Sequence, residues 1–484
     1  NCTTICDFFF IYEMKENKLN IFVFLLVFLL PCGYTTFKEE GRMLIEFKFS
    51  NYRSFRDESV LSMEATGLGT FRKSLIEYRP SGRSTSKAIH LLPAIAIYGK
   101  NGGGKSNVIR AFFLAVQFIR NAQRTQHEKV PIPVRPFLLD DTSATEPTRF
   151  EFTYVDQGIK YIYGFAATKE RVVEEYLYHS PKGQRSLVFS RSGQEFHFPT
   201  NNMKRRRELI SEAVAANQLY FAVACTMNEQ ACVGAMRWFR DCVRFSRGYA
   251  DFPKQLLEYS EDPNMLRAIS DYAKAADVGI RDMQFDIKNQ EIPSPQDLPK
   301  DVPEGIKAAL VQFMQALSDA SPDAEQRLRM GEVRATSYHQ GVNQNGEEDL
   351  YSLELADESD GTRRLMSLAP DMERILSCGG ILLVDELEKE MHPMLVEYIV
   401  AKFQSPVSNP NHAQLIFTTH NTELLNMELL RKDQLYFADK NRTDGTSSLY
   451  SIGELATPTS ENVRKGYLMG KYGATPDLEI EEVE

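Results

Sequence analysis

The sequence predicts an α/β fold in which a mainly parallel sheet carries a phosphate-binding loop. Its core is split by a helical insertion and flanked by an antiparallel β-subdomain. The first observation is the run Gly99-Lys100-Asn101-Gly102-Gly103-Gly104-Lys105-Ser106, which satisfies G-x-x-x-x-G-K-[ST]. The second is its setting. Leu92 to Tyr98 is an apolar run readable as a buried strand, and Asn107 to Asn121 places Val108, Ile109, Phe112, Phe113, Val116, Phe118 and Ile119 at helical spacing. The third is Ile381-Leu382-Leu383-Val384-Asp385-Glu386, four apolar residues ending in two carboxylates. Open α/β sheets place ligands at that end of a strand.

In the loop, glycines let the backbone curl so that successive N–H groups point at a phosphate, and the following helix offers its positive N-terminal end to the same oxygens. Gly99, Lys100, Asn101, Gly102, Gly103, Gly104, Lys105, Ser106 and Asn107 are therefore the candidate nucleotide-binding residues. Lys105 is expected to reach the β- and γ-phosphates of ATP, and Ser106 a Mg²⁺ ion. Asp385 is expected in the Mg²⁺ shell, and Glu386 to orient or deprotonate the attacking water. Taken singly, the first run also reads as a glycine-rich turn and the second as a strand meeting a solvated turn. Each makes the other more specific.

At 484 residues the chain exceeds what one core usually organises. The expected division is 1–42 as an upstream or signal-like extension, 43–200 as the N-terminal half of the core with the β-subdomain, 201–325 as the helical insertion, and 326–484 as the C-terminal half. Sixty-six acidic against 56 basic residues, a net charge of −10, argue against a surface built for general nucleic-acid binding. The seven cysteines form no C-x-x-C pair and have no histidines at zinc spacing. A reducing, cytoplasmic compartment fits that usage.

In the first 42 residues, Ile21 to Leu30 is wholly apolar, preceded by Met14, Lys15 and Lys18 and followed by Pro31 and Cys32. It is too short to span a bilayer as a helix and has the length of a signal-peptide core. Met43 opens an alternating, strand-like register, so Met43 is the expected natural start, with a signal or anchor as the alternative.

Strands are expected at Leu44–Phe49, Ser59–Glu64, Ala94–Tyr98, Thr148–Val155, Tyr161–Thr168 and Glu174–His179, with Asp156-Gln157-Gly158 as a hairpin turn. Helix formers begin at Met203 to Glu208, and helices are expected at Ile210–Asn228, Cys232–Arg244, Gln255–Ala275 and Glu304–Leu317, with a strand at Arg281–Lys288 and a Pro-rich link from Ile292 to Pro295. A hairpin follows, Val333–His339 and Leu350–Leu355 about the turn Asn343 to Gly346. Helices at Thr362–Ser377 and Pro393–Phe403 then alternate with strands at Ile381–Val384, Gln414–Thr418 and Gln434–Asp439, which implies a parallel sheet. No long heptad run appears, so an extended coiled-coil arm is not expected.

The chain resembles ABC-type ATPases of the branch holding the OLD-family and SMC-like DNA-repair ATPases. It is most similar to the AAA-annotated, abortive-infection-type ATPases of bacterial defence operons. The resemblance rests on Asn51-Tyr52-Arg53-Ser54-Phe55, on the loop Gly99 to Asn107, on Asp385-Glu386-Leu387-Glu388-Lys389-Glu390-Met391-His392-Pro393, and on Thr418-Thr419-His420-Asn421. It spans Met43 to about Glu484, with the helical middle matched only by type. It implies a homodimer or higher homo-oligomer in which each ATP lies between one subunit's loop and the partner's signature segment. It also implies that His420 senses the γ-phosphate. The candidate signature is Glu358-Ser359-Asp360-Gly361-Thr362-Arg363-Arg364, departing from the L-S-G-G-Q of transporters, with Ser359 and Gly361 as nucleotide contacts. A plain helix cap by Ser359 or Asp360 is the alternative. The family's glutamine-bearing loop has no clear counterpart.

The basic runs Lys204–Arg207 and Arg363-Arg364 read first as solvated helix faces and second as phosphate contacts. The leading functional expectation is an ATP-hydrolysing, dimerising sensor or motor of an anti-phage system that works with a separate effector, a nuclease or toxin, with no membrane partner. DNA binding, as in an SMC-like repair or chromosome-maintenance ATPase, is the alternative. An importer subunit and a non-hydrolysing nucleotide-gated scaffold fit less well.

Overall fold

The computed structural model describes residues 9–13, 21–26, 41–80, 88–122, 130–181, 183–246, 248–277, 279–292, 304–305, 308, 311–312, 328–455 and 461–475. The chain divides into two compact units, residues 38–246 with 374–484, and residues 1–37 with 247–373. Elements are named in chain order: β1 (Ala94–Tyr98), α1 (Lys105–Asn121), β2 (Val243–Phe245), α2 (Asp360–Cys378), β3 (Ile381–Val384), α3 (Pro393–Gln404), β4 (Gln414–Thr418), β5 (Leu435–Lys440) and β6 (Ser447–Ser451).

In the unit that carries the glycine loop, a six-stranded sheet runs β2-β3-β4-β1-β5-β6. All neighbours are parallel except β5 and β6. Every residue of β1, β3 and β4 is buried. Unbroken apolar strands are what a parallel sheet covered on both faces requires. α3 packs against β4 and β1, and α1 buries Val108, Ile109, Phe112, Val116 and Ile119 along one stripe.

The expected antiparallel β-subdomain is a seven-stranded sheet of Glu195–His197, Ser186–Ser192, Val172–Ser180, Ile159–Ala167, Thr148–Asp156, Met43–Ser50 and Ser59–Ser62, in that order. Gln157 (φ 51°) and Gly158 (φ 73°) turn its central hairpin, the positive-φ pair a two-residue loop needs. Aromatic rings join this sheet to α1. Phe112 lies 4.7 Å from Phe47 and 5.1 Å from Phe152, and Phe152 5.1 Å from Phe239. Such pairs contribute about 0.5–1.5 kcal/mol each beyond their buried area.

Helices from the expected insertion differ from the sequence reading, for local reasons. The helix formers from Met203 to Glu208 lie in a helix, Lys204–Ser211, but where a helix is expected over Ile210–Asn228 the structure has only the end of that one and a separate Tyr220–Thr226. The buried Glu175 carboxylate accepts from the N–H groups of Tyr220 (2.8 Å) and Phe221 (2.9 Å) and starts a new helix there. Instead of continuing to Arg244, the next helix ends at Arg237, widens to a π turn (Trp238–Cys242) and becomes β2. Arg120 draws the chain over, donating to the carbonyls of Phe239 and Val243 at 2.7 Å each. Residues 201–246 accordingly belong to the loop-bearing unit.

The other unit is built on an antiparallel sheet, Phe9–Glu13, Ile21–Leu26, Leu328–Val342 and Ile280–Ile292, with Glu348–Glu354 also paired to Leu328–Val342. Ile21–Leu26, within the expected signal-like run, is a strand paired with Leu328–Val333. Most of the expected helix Glu304–Leu317 and of the Pro-rich link lies outside the described residues. α2 begins in this unit and ends in the other.

Candidate functional site

β1 delivers the chain into the glycine loop. Gly99 (φ 153°) and Gly103 pass so close to β5 that a Cβ would stand 2.2 and 2.7 Å from the Ala438 carbonyl oxygen. Gly102 (φ 74°) and Gly104 (φ 118°) take conformations that favour glycine, and Gly104 is the N-cap of α1. Asn101 and Gly102 are exposed at the tip, while Lys100 is turned aside to an ion pair with Asp439 at 2.9 Å.

Lys105, the first residue of α1, is only 6% exposed. Its Nζ donates to the carbonyls of Gly99 (2.7 Å) and Lys100 (3.2 Å), across the mouth of the loop. Burial pulls its pKa below the usual lysine value, and the charges of Glu388, Asp385 and Glu386 oppose that pull. The loop and the carboxylate turn after β3 are thus within electrostatic reach.

The turn of Asn51 to Phe55 is one wall of the loop. Asn107 Nδ2 donates to Ser54 Oγ (2.9 Å), the Ser447 N–H to the Ser54 carbonyl (2.6 Å), and a Cβ on Gly104 would meet the Phe55 ring at 3.0 Å. Asn51 locks the wall from behind, donating to the carbonyls of Ser143 and Glu146 at 2.8 and 2.9 Å.

β3 ends at the half-buried Asp385 and the exposed Glu386. Glu386 has φ 53°, a left-handed conformation that costs a non-glycine residue of order 1–3 kcal/mol and clusters at functional sites. Thr418, buried at the end of β4, links the pair: its Oγ1 donates to Asp385 Oδ1 and accepts from the Glu386 N–H, both at 2.7 Å. Its carbonyl accepts from Leu387 at 3.0 Å. His392 and Pro393 begin α3, His392 Nδ1 capping the helix by accepting from the Met394 N–H at 3.3 Å.

His420 follows β4. Its N–H donates to Glu388 Oε1 at 2.5 Å. Partial exclusion of water, then the charge of Lys105, hold its imidazole below the ordinary histidine value against Glu388 and Glu386. Lys105, Asp385, Glu386 and His420 are therefore assembled about one end of the parallel sheet, with Ser106 and Asn107 partly exposed beside them.

Ser359 and Gly361 fall in the other compact unit. Ser359 Oγ accepts from the Thr362 N–H at 3.1 Å and shares a hydrogen bond with Thr362 Oγ1 at 2.8 Å, which is a cap on α2. Glu358 anchors the segment through His339 (2.7 Å) and Ser337. The basic runs are largely held within the fold. Arg207 is buried against Glu229 (2.8 Å), Lys204 faces Glu208, and Arg363 pairs with Asp360.

The residues present suit a nucleotide with a hard cation. The loop has no room for a Cβ at Gly99 and Gly103, Lys105 stands over its mouth, and Ser106 and Asp385 offer oxygen donors. Among the described residues there is no group of three or more His, Cys, Asp or Glu that could hold a metal; Mg²⁺ sites in general keep several waters and take phosphate oxygens beside one or two carboxylates. Sequence reasoning missed Thr418 as a linker, Glu388 as a partner of His420, and Asp439 as the partner of Lys100. The first two lie within motifs singled out for other residues.

Residues 94–426, more than two-thirds of the chain, match the family model described as "AAA domain, putative AbiEii toxin, Type IV TA system". Similar solved structures include the SMC head domain from Thermotoga maritima, 12% identical, covering 84% of this chain and 98% of that one with a TM-score of 0.33. Another is the Smc head domain with an extended coiled coil, bound to the C-terminal domain of ScpA, from Pyrococcus furiosus, at 12% identity, 85% and 96% coverage and a TM-score of 0.28. A third is the recombination mediator RecF with ATP, at 14% identity, 86% and 100% coverage and a TM-score of 0.28.

Proposed function

This chain belongs to the AAA-domain family whose description names the AbiEii toxin of type IV toxin–antitoxin systems, and on that premise we propose that it is an ATP-hydrolysing, dimerising switch. The observation that carries the reading is the Thr418 hydroxyl joining Asp385 to the main chain of Glu386, with Lys105 within electrostatic reach.

In this reading the glycine loop and the N-terminus of α1 bind the phosphates, Lys105 neutralises their charge, and Ser106 and Asp385 hold Mg²⁺. The cation, when bound, withdraws charge from the β- and γ-phosphate oxygens. Glu386, exposed beyond Asp385, orients a water and takes its proton, while His420 hydrogen-bonds the terminal phosphate. Ser359 and Gly361 complete the site from a second subunit. The family's toxin–antitoxin description supports a place in anti-phage defence with a separate effector. The cysteine usage supports the cytoplasm as its setting, and no helix among the described residues is long and apolar enough to cross a membrane.

The test is ATP binding and hydrolysis by the wild-type chain and two variants. Lys105→Ala should abolish binding. Glu386→Gln should bind ATP normally, lose at least about a hundredfold in turnover, and accumulate as a dimer or larger assembly in size-exclusion light scattering. Ordinary turnover by Glu386→Gln would sink the assignment, and strong stimulation by DNA would move it towards DNA repair.

A further inference from the structure

The main chain around His420 is pinned from two directions, and the two pins come from the two halves of the phosphate site. On one side Tyr98, the last residue of β1 and the one before Gly99, donates its hydroxyl to the Asn421 carbonyl at 3.0 Å. On the other, Glu388 in the turn opened by Asp385 and Glu386 accepts the His420 N–H. Thr419 is held to the sheet in between, its N–H donating to the Ile97 carbonyl at 3.1 Å.

The fold does not need a carboxylate at 388. The turn is closed by main-chain bonds, Lys389 to Glu386 and Met391 to Glu388 within it and Leu387 to the Thr418 carbonyl of β4, and it is fastened by the buried Leu387. Its other charged residues, Lys389 and Glu390, are exposed. Glu388 is only partly exposed and lies within electrostatic reach of Lys105, and its Oε2 is buried without a hydrogen-bond donor among the described residues. A partly buried carboxylate with one oxygen left without a donor has to be explained by what the other oxygen holds.

We propose that Glu388 and Tyr98 are positioning residues for ATP hydrolysis, setting the main chain of His420 from the carboxylate turn and from the glycine loop. A shift of either element then moves the histidine. The proposal rests on the reading of the site as an ATPase. Neither side chain needs to touch the nucleotide, so the acceptor oxygen of Glu388, rather than its charge, is the working feature.

Steady-state hydrolysis and equilibrium binding of a fluorescent ATP analogue, on the full chain with Mg²⁺, separate the possibilities. Glu388→Ala should lower kcat about tenfold, as loss of one hydrogen bond does, with analogue affinity within about threefold of wild type. Glu388→Gln keeps an oxygen for the same N–H and should return kcat to within about threefold. Tyr98→Phe, which keeps the ring, should lower kcat about three- to tenfold. The proposal is overturned if Glu388→Gln is as slow as Glu388→Ala, if Glu388→Ala turns over normally, or if affinity falls in step with kcat. Should Glu388→Ala melt at the assay temperature, Tyr98→Phe decides, and unchanged turnover in that variant overturns the proposal. Wild-type chain that hydrolyses no ATP would instead sink the underlying reading.

Discussion

Thr418 has no acid–base chemistry of its own, yet both ends of its hydroxyl are used at the site. Exchange for valine keeps the branched shape and leaves Asp385 Oδ1 and the Glu386 N–H without their partner. An unmet polar group in such a setting costs about 1–3 kcal/mol. Thr418→Val should therefore lower the urea midpoint and cut ATP turnover about ten- to hundredfold while the glycine loop still binds nucleotide, and Thr418→Ser should recover most of both. Valine with full turnover would show that the pair is set by other contacts. The sequence did not reveal this residue's role. In Thr418-Thr419-His420-Asn421 the histidine carries the recognisable chemistry. That Thr418, not Thr419, faces the carboxylates follows from the register of β4 on β3, Phe417 beside Val384. Lys105, Ser106, Asp385 and Glu386 were legible because their spacing lies within single loops and turns.

At the scale of elements, the glycine loop is shaped by β5 as much as by its own residues. Ala438 supplies the carbonyl against which Gly99 and Gly103 pack, and Asp439 takes Lys100. Gly103 has no positive φ, so alanine there tests space alone. Its Cβ would meet the backbone oxygens of Ala438 at 2.7 Å and Lys100 at 3.0 Å, neither of which can swing away. Gly103→Ala should cost about 1–3 kcal/mol of stability and weaken ATP binding at least about tenfold. Gly102→Ala, whose Cβ meets nothing within 4 Å, carries only the strain of its φ of 74°, about 1–2 kcal/mol. Equal binding by wild type and Gly103→Ala, measured by titration calorimetry, would show the loop free to lift from β5. Elements of this kind divide sharply in how far the sequence discloses them. The strands Ile381–Val384 and Gln414–Thr418 have the expected bounds, because a buried parallel strand is a continuous apolar run ended by polar residues. The helix expected over Ile210–Asn228 was interrupted by a buried carboxylate 45 residues away from Tyr220, which no local propensity encodes.

At the scale of the whole molecule, the residues that the sequence singles out as candidates fall in different compact units, Lys105, Asp385, Glu386 and His420 in one and Ser359 and Gly361 in the other. The split of the sheet across the chain was legible, since apolar strands alternate with helices on both sides of the interruption. The assignment of residues 201–246 to the sheet's own unit was not, because it depends on Arg120 and Glu175 reaching across long separations. If ATP lies between two subunits, Lys105 and Ser359 of one chain serve different sites. A chain carrying Lys105→Ala keeps an intact signature segment, and a chain carrying Ser359→Arg keeps an intact loop. Each should be inactive alone. Mixed in equal amounts they should form heterodimers with one complete site, giving about a quarter of wild-type ATP turnover for random pairing in a two-fold dimer. The double variant mixed with wild type supplies the control, because its heterodimers contain no complete site. Recovery in the first mixture alone requires the site to be built from two chains. If neither mixture exceeds the sum of its parts while wild type remains active, each chain completes its own site, and the cap that Ser359 makes on α2 is its whole role.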